Sequence, residues 1–392
     1  MSRSFALFLA VALSILGGMH LYFWFRLVRD PGLGEPWRRI ATVLLLLLAV
    51  SFPVAMLALR RAPEPYAHLL PAVGFSWLGI AFVLLVTLVA IDAVRLLALV
   101  AEAVSSWLRS PGDPPPDPAR RAFVAQAIAG AAVAVTGGVS TFAVRRAGGP
   151  ADLDEVPVRI ERLPRALSGF TVAQITDVHV GPTIRGKEVR RIVEQTNGLR
   201  PDVVAITGDL VDGSVAELGD IVAELGGLRA RHGVFFVTGN HDHYSGAEPW
   251  VAYLRKLGIR VLRNERVTVG DAGASIDLAG VDDYGHGLDL ERALAGRDPD
   301  RALVLLAHQP RGIAAAVRAG VDLQLSGHTH GGQIVPFNLI VGTIQPYVRG
   351  LHRHVEGERA GHIYVSRGTG YWGPPMRLGS PPEIAKVVLT PG

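Results

Sequence analysis

The chain has 392 residues, 49% of them hydrophobic, with a mean hydropathy of +0.30 and no cysteine. That length admits two domains, and the missing sulfur excludes disulfides, thiolate metal sites and a cysteine nucleophile. The net charge of +4 is unevenly placed: residues 1–146 carry 13 arginines against 7 acids, and the remainder is at −2.

Four apolar segments open the chain, at residues 5–25, 40–59, 69–91 and 123–144. Each approaches the ~20 residues that a helix needs to cross a bilayer. Arg38-Arg39 and Arg60-Arg61 bracket the second, and Arg120-Arg121 and Arg145-Arg146 the fourth. Buried core helices are the competing reading. The recurrent arginine brackets favour membrane spans. Three further spans follow the first, so it is expected to stay as an anchor rather than be removed as a signal peptide. Asp92 and Arg95 are spaced to pair on one helix face at the membrane edge. The stretch from Ser110 through Pro114, Pro115 and Pro116 to Pro118 reads as a stiff, extended connector. Arg120-Arg121 with Phe123 has the form of a twin-arginine export signal, here internal, and equally of an ordinary arginine pair. The first and third loops hold seven arginines against five on the other side. That bias predicts both termini, and with them the polar domain, outside the cytoplasm.

Residues 147–157 read as a Gly/Pro/acidic tether, and an α/β pattern occupies 158–392. Strand-like runs at 170–176, 202–207 and 234–238 alternate with helical ones at 186–197, 215–228 and 249–257. Shorter extended runs follow at 259–262, 267–269 and 276–279. Helical patterns at 290–294 and 312–319 flank extended runs at 303–307 and 321–325. Residues 334–335, 363–366 and 384–389 complete the strands. Such alternation predicts an α/β sheet with helices on its faces. The polar part has no basic surplus of the kind that marks a nucleic-acid footprint, so no nucleic-acid partner is expected.

Polar residues recur just after the strands: Asp177 and His179, then Gly208-Asp209, then Gly239-Asn240-His241-Asp242, then His308, then Gly327-His328-Thr329-His330. In open α/β sheets, sites form beyond the carboxyl ends of strands. Asp, Asn and His donors without cysteine suit Mn, Fe or Zn better than Ca or Cu(I). They are too many for one tetrahedral ion, and two ions ~3.5–4 Å apart fit an in-line displacement at phosphorus.

The whole arrangement, D-x-H…GD…GNHD…H…GHTH, resembles the calcineurin-like metallophosphoesterase superfamily from about residue 170 to 390. Leu325 to Gln333, Tyr364-Val365-Ser366-Arg367-Gly368 and Pro381-Pro382-Glu383-Ile384 are similar to the membrane-anchored bacterial branch that includes YkuE and YaeI. The resemblance implies a four-layer α/β/β/α sandwich of two packed mixed sheets, here preceded by about four transmembrane helices. It implies two divalent metal ions. Asp177, His179 and His330 would hold the first, Asn240, His308 and His328 the second, and Asp209 would bridge them. His241 would donate a proton or hydrogen bond, oriented by Asp242, and a metal-bound hydroxide would attack. His243-Tyr244 and Arg311 depart from the branch pattern near the site and bear on substrate preference. Arg349, Arg353, Arg367 and Arg377 are candidates to meet a substrate phosphate, and His232, His286, His352, His354 and His362 are expected to be structural.

The expected function is a multi-pass enzyme of the bacterial cell membrane that hydrolyses a lipid-linked or cell-envelope phosphate. Its partners would be the bilayer and that substrate. UDP-2,3-diacylglucosamine-type pyrophosphate hydrolysis is one form of this chemistry, but that substrate is cytoplasmic and conflicts with the outward orientation. A broad phosphodiesterase or phosphomonoesterase, and a non-catalytic membrane receptor, are the alternatives.

Overall fold

The computed structural model describes residues 3–61, 66–106, 118–271 and 273–392. It divides into two compact units, Met1–Ala143 and Val144–Gly392. The proline-rich connector lies outside the described residues.

The first unit consists of long helices: α1 (Arg3–Trp24), continued by a π-helical turn (Phe25–Arg29), α2 (Trp37–Arg61), α3 (Tyr66–Ser106) and most of α4 (Pro118–Gly148). Within them, Ala10–Arg29, Trp37–Leu59, His68–Ala101 and Ala122–Gly148 are long and apolar enough to cross a membrane. Asp92 does face Arg95, at 3.9 Å, but its nearer partner is Arg26 at 2.6 Å. The Tyr22 hydroxyl also donates to Asp92, at 2.6 Å. The acid at this apolar surface is thus neutralised from a second helix, as charges there need to be.

The second unit holds two six-stranded mixed sheets. The first contains β1 (Asp152–Ile160), β2 (Phe170–Ile175), β3 (Val203–Thr207), β4 (Val234–Val237), β5 (Arg260–Val261) and β12 (Glu383–Pro391), in the order β1-β12-β2-β3-β4-β5. The second contains β6 (Glu265–Asp271), β7 (Ala274–Gly280), β8 (Leu303–Leu306), β9 (Leu323–Ser326), β10 (Gly350–Glu356) and β11 (Arg359–Val365), in the order β10-β11-β9-β8-β7-β6. Central parallel strands are covered on both faces, so β3 reads Val-Val-Ala-Ile-Thr with every residue buried. Val172, Val203 and Phe235 of the first sheet share one core with Leu278, Val304, Leu323 and Tyr364 of the second. The opposite face of the first sheet packs Ile175 and Ile206 against Val189, Leu218 and Leu254 of helices α5 (Gly186–Gly198), α6 (Val215–Val222) and α8 (Ala247–Lys256). The outer face of the second sheet packs Leu305 with Ala293 and Ala316. Helix, sheet, sheet and helix therefore form four layers around one shared core.

Local differences from the sequence reading have simple causes. Part of the expected tether, from Asp152, is strand β1: its alternating buried Val156, Val158 and Ile160 pair in parallel with β12. The helix expected over 215–228 tightens after Val222 into a 3₁₀ turn, Ala223–Gly227. A short helix α7 (Asn240–Tyr244) and the edge strand β10 are additions that sequence periodicity did not signal.

Candidate metal centre

Every element of the site hangs from the carboxyl end of a strand. β2 leads to Asp177 and His179, β3 to Asp209, β4 to Asn240 and His241, β8 to His308, and β9 to His328 and His330. The two sheets bring these loops to a common edge. There Asp177, His179 and His330 form one group of mutually close donor atoms, and Asp209, His308 and His328 form another. A third group joins His179 and His241 through Asp212.

The backbone is forced to reach these positions. Among the described residues, eight non-glycine residues have positive φ, and five of them are Asp177, His179, Asp209, His328 and His330. A left-handed conformation costs a non-glycine residue about 1–3 kcal/mol and persists only where surrounding structure over-determines it. The over-determination is visible. The Asp177 carboxylate accepts the His328 N–H at 3.0 Å, and the Asp177 N–H donates to Gly208 O at 3.0 Å. Glycine is required where the loops nearly touch: a Cβ on Gly239 would run into the Asp209 carboxylate, and one on Gly327 into Asp177 and Thr176.

Two ligand atoms of the cluster are satisfied by nothing in the protein. His308 Nε2 and Asn240 Oδ1 are buried without a hydrogen-bond partner. His308 Nε2 lies 3.1 Å from Asp209 Oδ2 but out of hydrogen-bond alignment, while its Nδ1 is occupied by Thr207 O at 2.8 Å. The Nε2 atoms of His179 and His330 face each other at 3.1 Å. Asp209 Oδ2 lies between the groups, 3.9 Å from His179 Nε2 and 3.1 Å from His308 Nε2. Buried polar atoms are ordinarily paired, and the exceptions mark an ion or a functional strain. Convergent nitrogen and oxygen donors with orphaned atoms fit divalent cations.

The electrostatics agree. Burial resists charge on His179 and His308, but the facing carboxylates of Asp212, Asp209 and Asp177 more than offset it. His179 is pushed up to about 9 and His308 to about 10. Burial drives His328 the other way, down to about 3, aided by the His308 charge, and His330 likewise falls. Burial also opposes ionisation of Asp209, yet His308, His179 and His241 hold it far below the usual carboxylate range. The cluster gathers positive charge onto its acids, the environment into which a cation substitutes.

Asp212 was not singled out by sequence, although it lies only three residues beyond Asp209. Its two carboxylate oxygens accept from His241 Nδ1 at 2.6 Å and from His179 Nδ1 at 3.1 Å. Asp242, expected to orient His241, is instead turned inward. Its carboxylate accepts backbone N–H groups of Gly239, Asp209 and Leu210 at 2.8–2.9 Å and of Val211 at 3.3 Å. It ties the β3 and β4 loops together, and the contact to His241 belongs to Asp212. Three of the four arginines considered for phosphate are engaged elsewhere, and Arg353 is exposed on β10. Arg367 pairs with Glu383 and Asp154, both at 2.5 Å. Arg377 is wholly buried and donates to carbonyl oxygens of Gly370, His330, Arg367 and Ser380. Arg349 donates to Gly379 O at 2.7 Å.

Two mixed sheets that aim an Asp/Asn/His cluster from their strand ends define a metal-dependent phosphoesterase. The comparisons agree. The calcineurin-like phosphoesterase family matches residues 170–332. A Bos taurus protein, "Transmembrane protein with metallophosphoesterase domain", is 36% identical over 370 residues, 90% of this chain and 80% of that protein. A Danio rerio protein of the same name is 35% identical over 399 residues, 96% of this chain and 87% of that one. The Bacillus subtilis "Uncharacterized metallophosphoesterase YkuE" is 31% identical over 241 residues, 60% of this chain and 84% of that protein. The chain belongs to the calcineurin-like phosphoesterase family and is a metal-dependent phosphoester hydrolase. Its four apolar helices, and the relatives named as transmembrane proteins, fit membrane association.

Proposed function

We propose that the chain hydrolyses lipid-linked or cell-envelope phosphoesters with two divalent ions held at the strand ends. The observation that carries this reading is the convergence of orphaned donors, His308 Nε2 and Asn240 Oδ1, beside the facing imidazoles of His179 and His330. Asp177, His179 and His330 would hold one ion, Asn240, His308 and His328 the other, with Asp209 between them. Mn, Fe or Zn suits this sulfur-free donor set. When bound, such ions compensate phosphoryl charge and bring the pKa of water towards neutrality.

The protein's own groups do the rest. Asp212 accepts from Nδ1 of His241, which leaves Nε2 free to give a proton or hydrogen bond to the leaving-group oxygen. The same carboxylate fixes His179, so the acid and a ligand share one anchor. Asp242 holds the Asp209 and Asn240 loops in register through backbone amides.

The substrate class rests on membrane association. A site on a chain with four apolar helices meets bilayer-borne substrates at high local concentration. UDP-2,3-diacylglucosamine-type pyrophosphates are one member of that class if the unit faces the cytoplasm. An outward orientation, as the loop arginines predict, selects other envelope phosphates. Two measurements test the reading. Hydrolysis of bis-p-nitrophenyl phosphate with added Mn²⁺ should vanish in Asp209→Ala, and equal activity would end the metal assignment. A panel of lipid phosphates offered to the full chain in membranes should give higher kcat/KM than soluble diesters. The reverse ranking favours a broad phosphodiesterase whose helices only set location.

A further inference from the structure

Helix Phe337–Ile344, sequence Phe-Asn-Leu-Ile-Val-Gly-Thr-Ile, begins seven residues beyond His330, and none of its residues is buried. A helix on a soluble surface ordinarily turns an apolar stripe inward. Here Leu339 is 68% exposed, Ile340 52% and Ile344 58%. Val335, just before the helix, adds a further exposed side chain. Contiguous exposed apolar groups of this kind mark an interaction surface.

The helix is tied to the mouth of the site. The Val335 N–H donates to Leu378 O at 3.0 Å. Gln333 donates from Nε2 to Trp372 O at 2.8 Å and accepts the Trp372 N–H at 3.0 Å. The half-exposed Trp372 ring lies 5.6 Å from the His241 ring. Apolar helix, tryptophan and His241 therefore belong to one loop system.

Charge identifies the occupant. From residue 323 to 355 the sequence has no Asp or Glu, while Arg349 and Arg353 are both exposed. The Arg349 guanidinium reaches Gly379 O, and Gly379 adjoins Val335, so a cation rims the apolar surface. Apolar residues with an interfacial tryptophan, rimmed by Arg349 and set in an acid-free stretch of sequence, match an anionic bilayer surface. A second copy of the chain fits worse, because a two-fold contact sets each basic rim near its own image.

We infer that helix Phe337–Ile344, with Val335 and Trp372, is a bilayer-docking surface that holds the mouth of the site at the lipid–water interface. The inference takes from the proposed function only the membrane association. It deepens the substrate class, because a mouth at the interface receives a phosphoester without lifting its acyl chains into water.

The chain has no cysteine, so single labels are clean. In the full-length protein in nanodiscs of phosphatidylcholine and phosphatidylglycerol, Leu339→Cys and Ile340→Cys carry an environment-sensitive fluorophore. Lys187→Cys, exposed on α5, is the control. Docking predicts blue-shifted emission at 339 and 340, strong quenching by lipids brominated on their acyl chains, and neither effect at 187. Labels at 339 and 340 that behave like 187 overturn the inference. So do labels shielded from an aqueous quencher yet untouched by brominated lipid, which identify a protein partner. The double variant Leu339→Asp/Ile340→Asp should lose roughly tenfold in kcat/KM on a phosphoester embedded in vesicles and nothing on bis-p-nitrophenyl phosphate. Should the native protein ignore every vesicle substrate, the substrate class falls, while lipid quenching still decides the docking.

Discussion

The floor of the site and its rim differ in every physical respect. Asp177, His179, Asp209 and His308 on the floor are at most 4% exposed, whereas Tyr244 and Trp372 on the rim are 72% and 52% exposed. Four of the five strained ligand-bearing residues lie in Asp-x-His or His-x-His pairs, where alternate backbone twists set two side chains towards one cluster. The rim holds the Tyr244 ring by edge contacts with His241 at 5.5 Å and His286 at 6.0 Å, and the Trp372 ring by contact with His241 at 5.6 Å. The contrast separates two tasks. A buried, over-determined floor fixes donors in place before any ligand arrives, and exposed aromatic side chains at the rim are placed to meet what is being hydrolysed.

The largest effect should come from the floor. Asp209→Ala is expected to lower kcat on bis-p-nitrophenyl phosphate by about 10³-fold or more, with loss of both ions in elemental analysis. Retention of two ions per chain would show that the two groups of donors are independent. His328→Ala and His330→Ala should each remove a different ion, and two ions in both variants would erase that division.

The boundary between floor and rim is His241. His241→Gln should lose about 10²–10³-fold, and more on an alkyl ester than on a p-nitrophenyl ester, whose leaving group needs no proton. Asp212→Asn should lose about 10–100-fold, with weaker metal affinity as well, because it anchors His179. A loss confined to one of those two readouts would assign Asp212 to a single histidine.

Proton linkage tests the floor without substrate. His179 at about 9 and His308 at about 10 carry protons at neutral pH, while His328 and His330 do not. Cations compete with the protons on the first pair, so affinity should rise as pH rises towards 9. Titration calorimetry in buffers of different ionisation enthalpy should find protons released on Mn²⁺ binding, and none released would remove the carboxylate-raised histidines. The smallest effect belongs to the rim. Trp372→Ala should change KM for bulky esters by about threefold to tenfold and leave metal content intact.

Much of the floor was legible in sequence because the donors follow buried apolar runs, and Asp209, Asn240, His328 and His330 stand beside a glycine. Asp209 follows Val-Val-Ala-Ile-Thr-Gly, and His328 follows Leu-Gln-Leu-Ser-Gly. Short-range pattern and tertiary role coincide there. Asp212 escaped notice because its partners, His179 and His241, lie far away in sequence and only the fold brings them to its two oxygens. Asp242 misled for the converse reason: adjacency to His241 suggested a contact, but the short helix α7 turns the two side chains apart. Arg377 and Arg367 carried the charge expected of phosphate ligands. Their burial and pairing with carbonyls, Glu383 and Asp154 depend on the return of the chain after residue 366, which no local pattern encodes. Helix Phe337–Ile344 does set Phe337, Ile340, Val341 and Ile344 at amphipathic spacing, but eight residues are too few for that pattern to stand out in sequence.

Strand β12 sits between β1 and β2. Its first residue, Glu383, accepts the Arg367 N–H at 3.0 Å, and its carbonyl accepts the Thr369 hydroxyl at 2.8 Å. The same loop returns to the site, where the Gly370 N–H donates to Asp177 O at 3.0 Å. On a ribosome, every donor up to His330 is made well before this strand. Before β12 is made, β1 lacks its partner strand and β2 has only β3 beside it. The sheet that presents Asp177 and His179 is therefore completed by a strand made after every one of its donors.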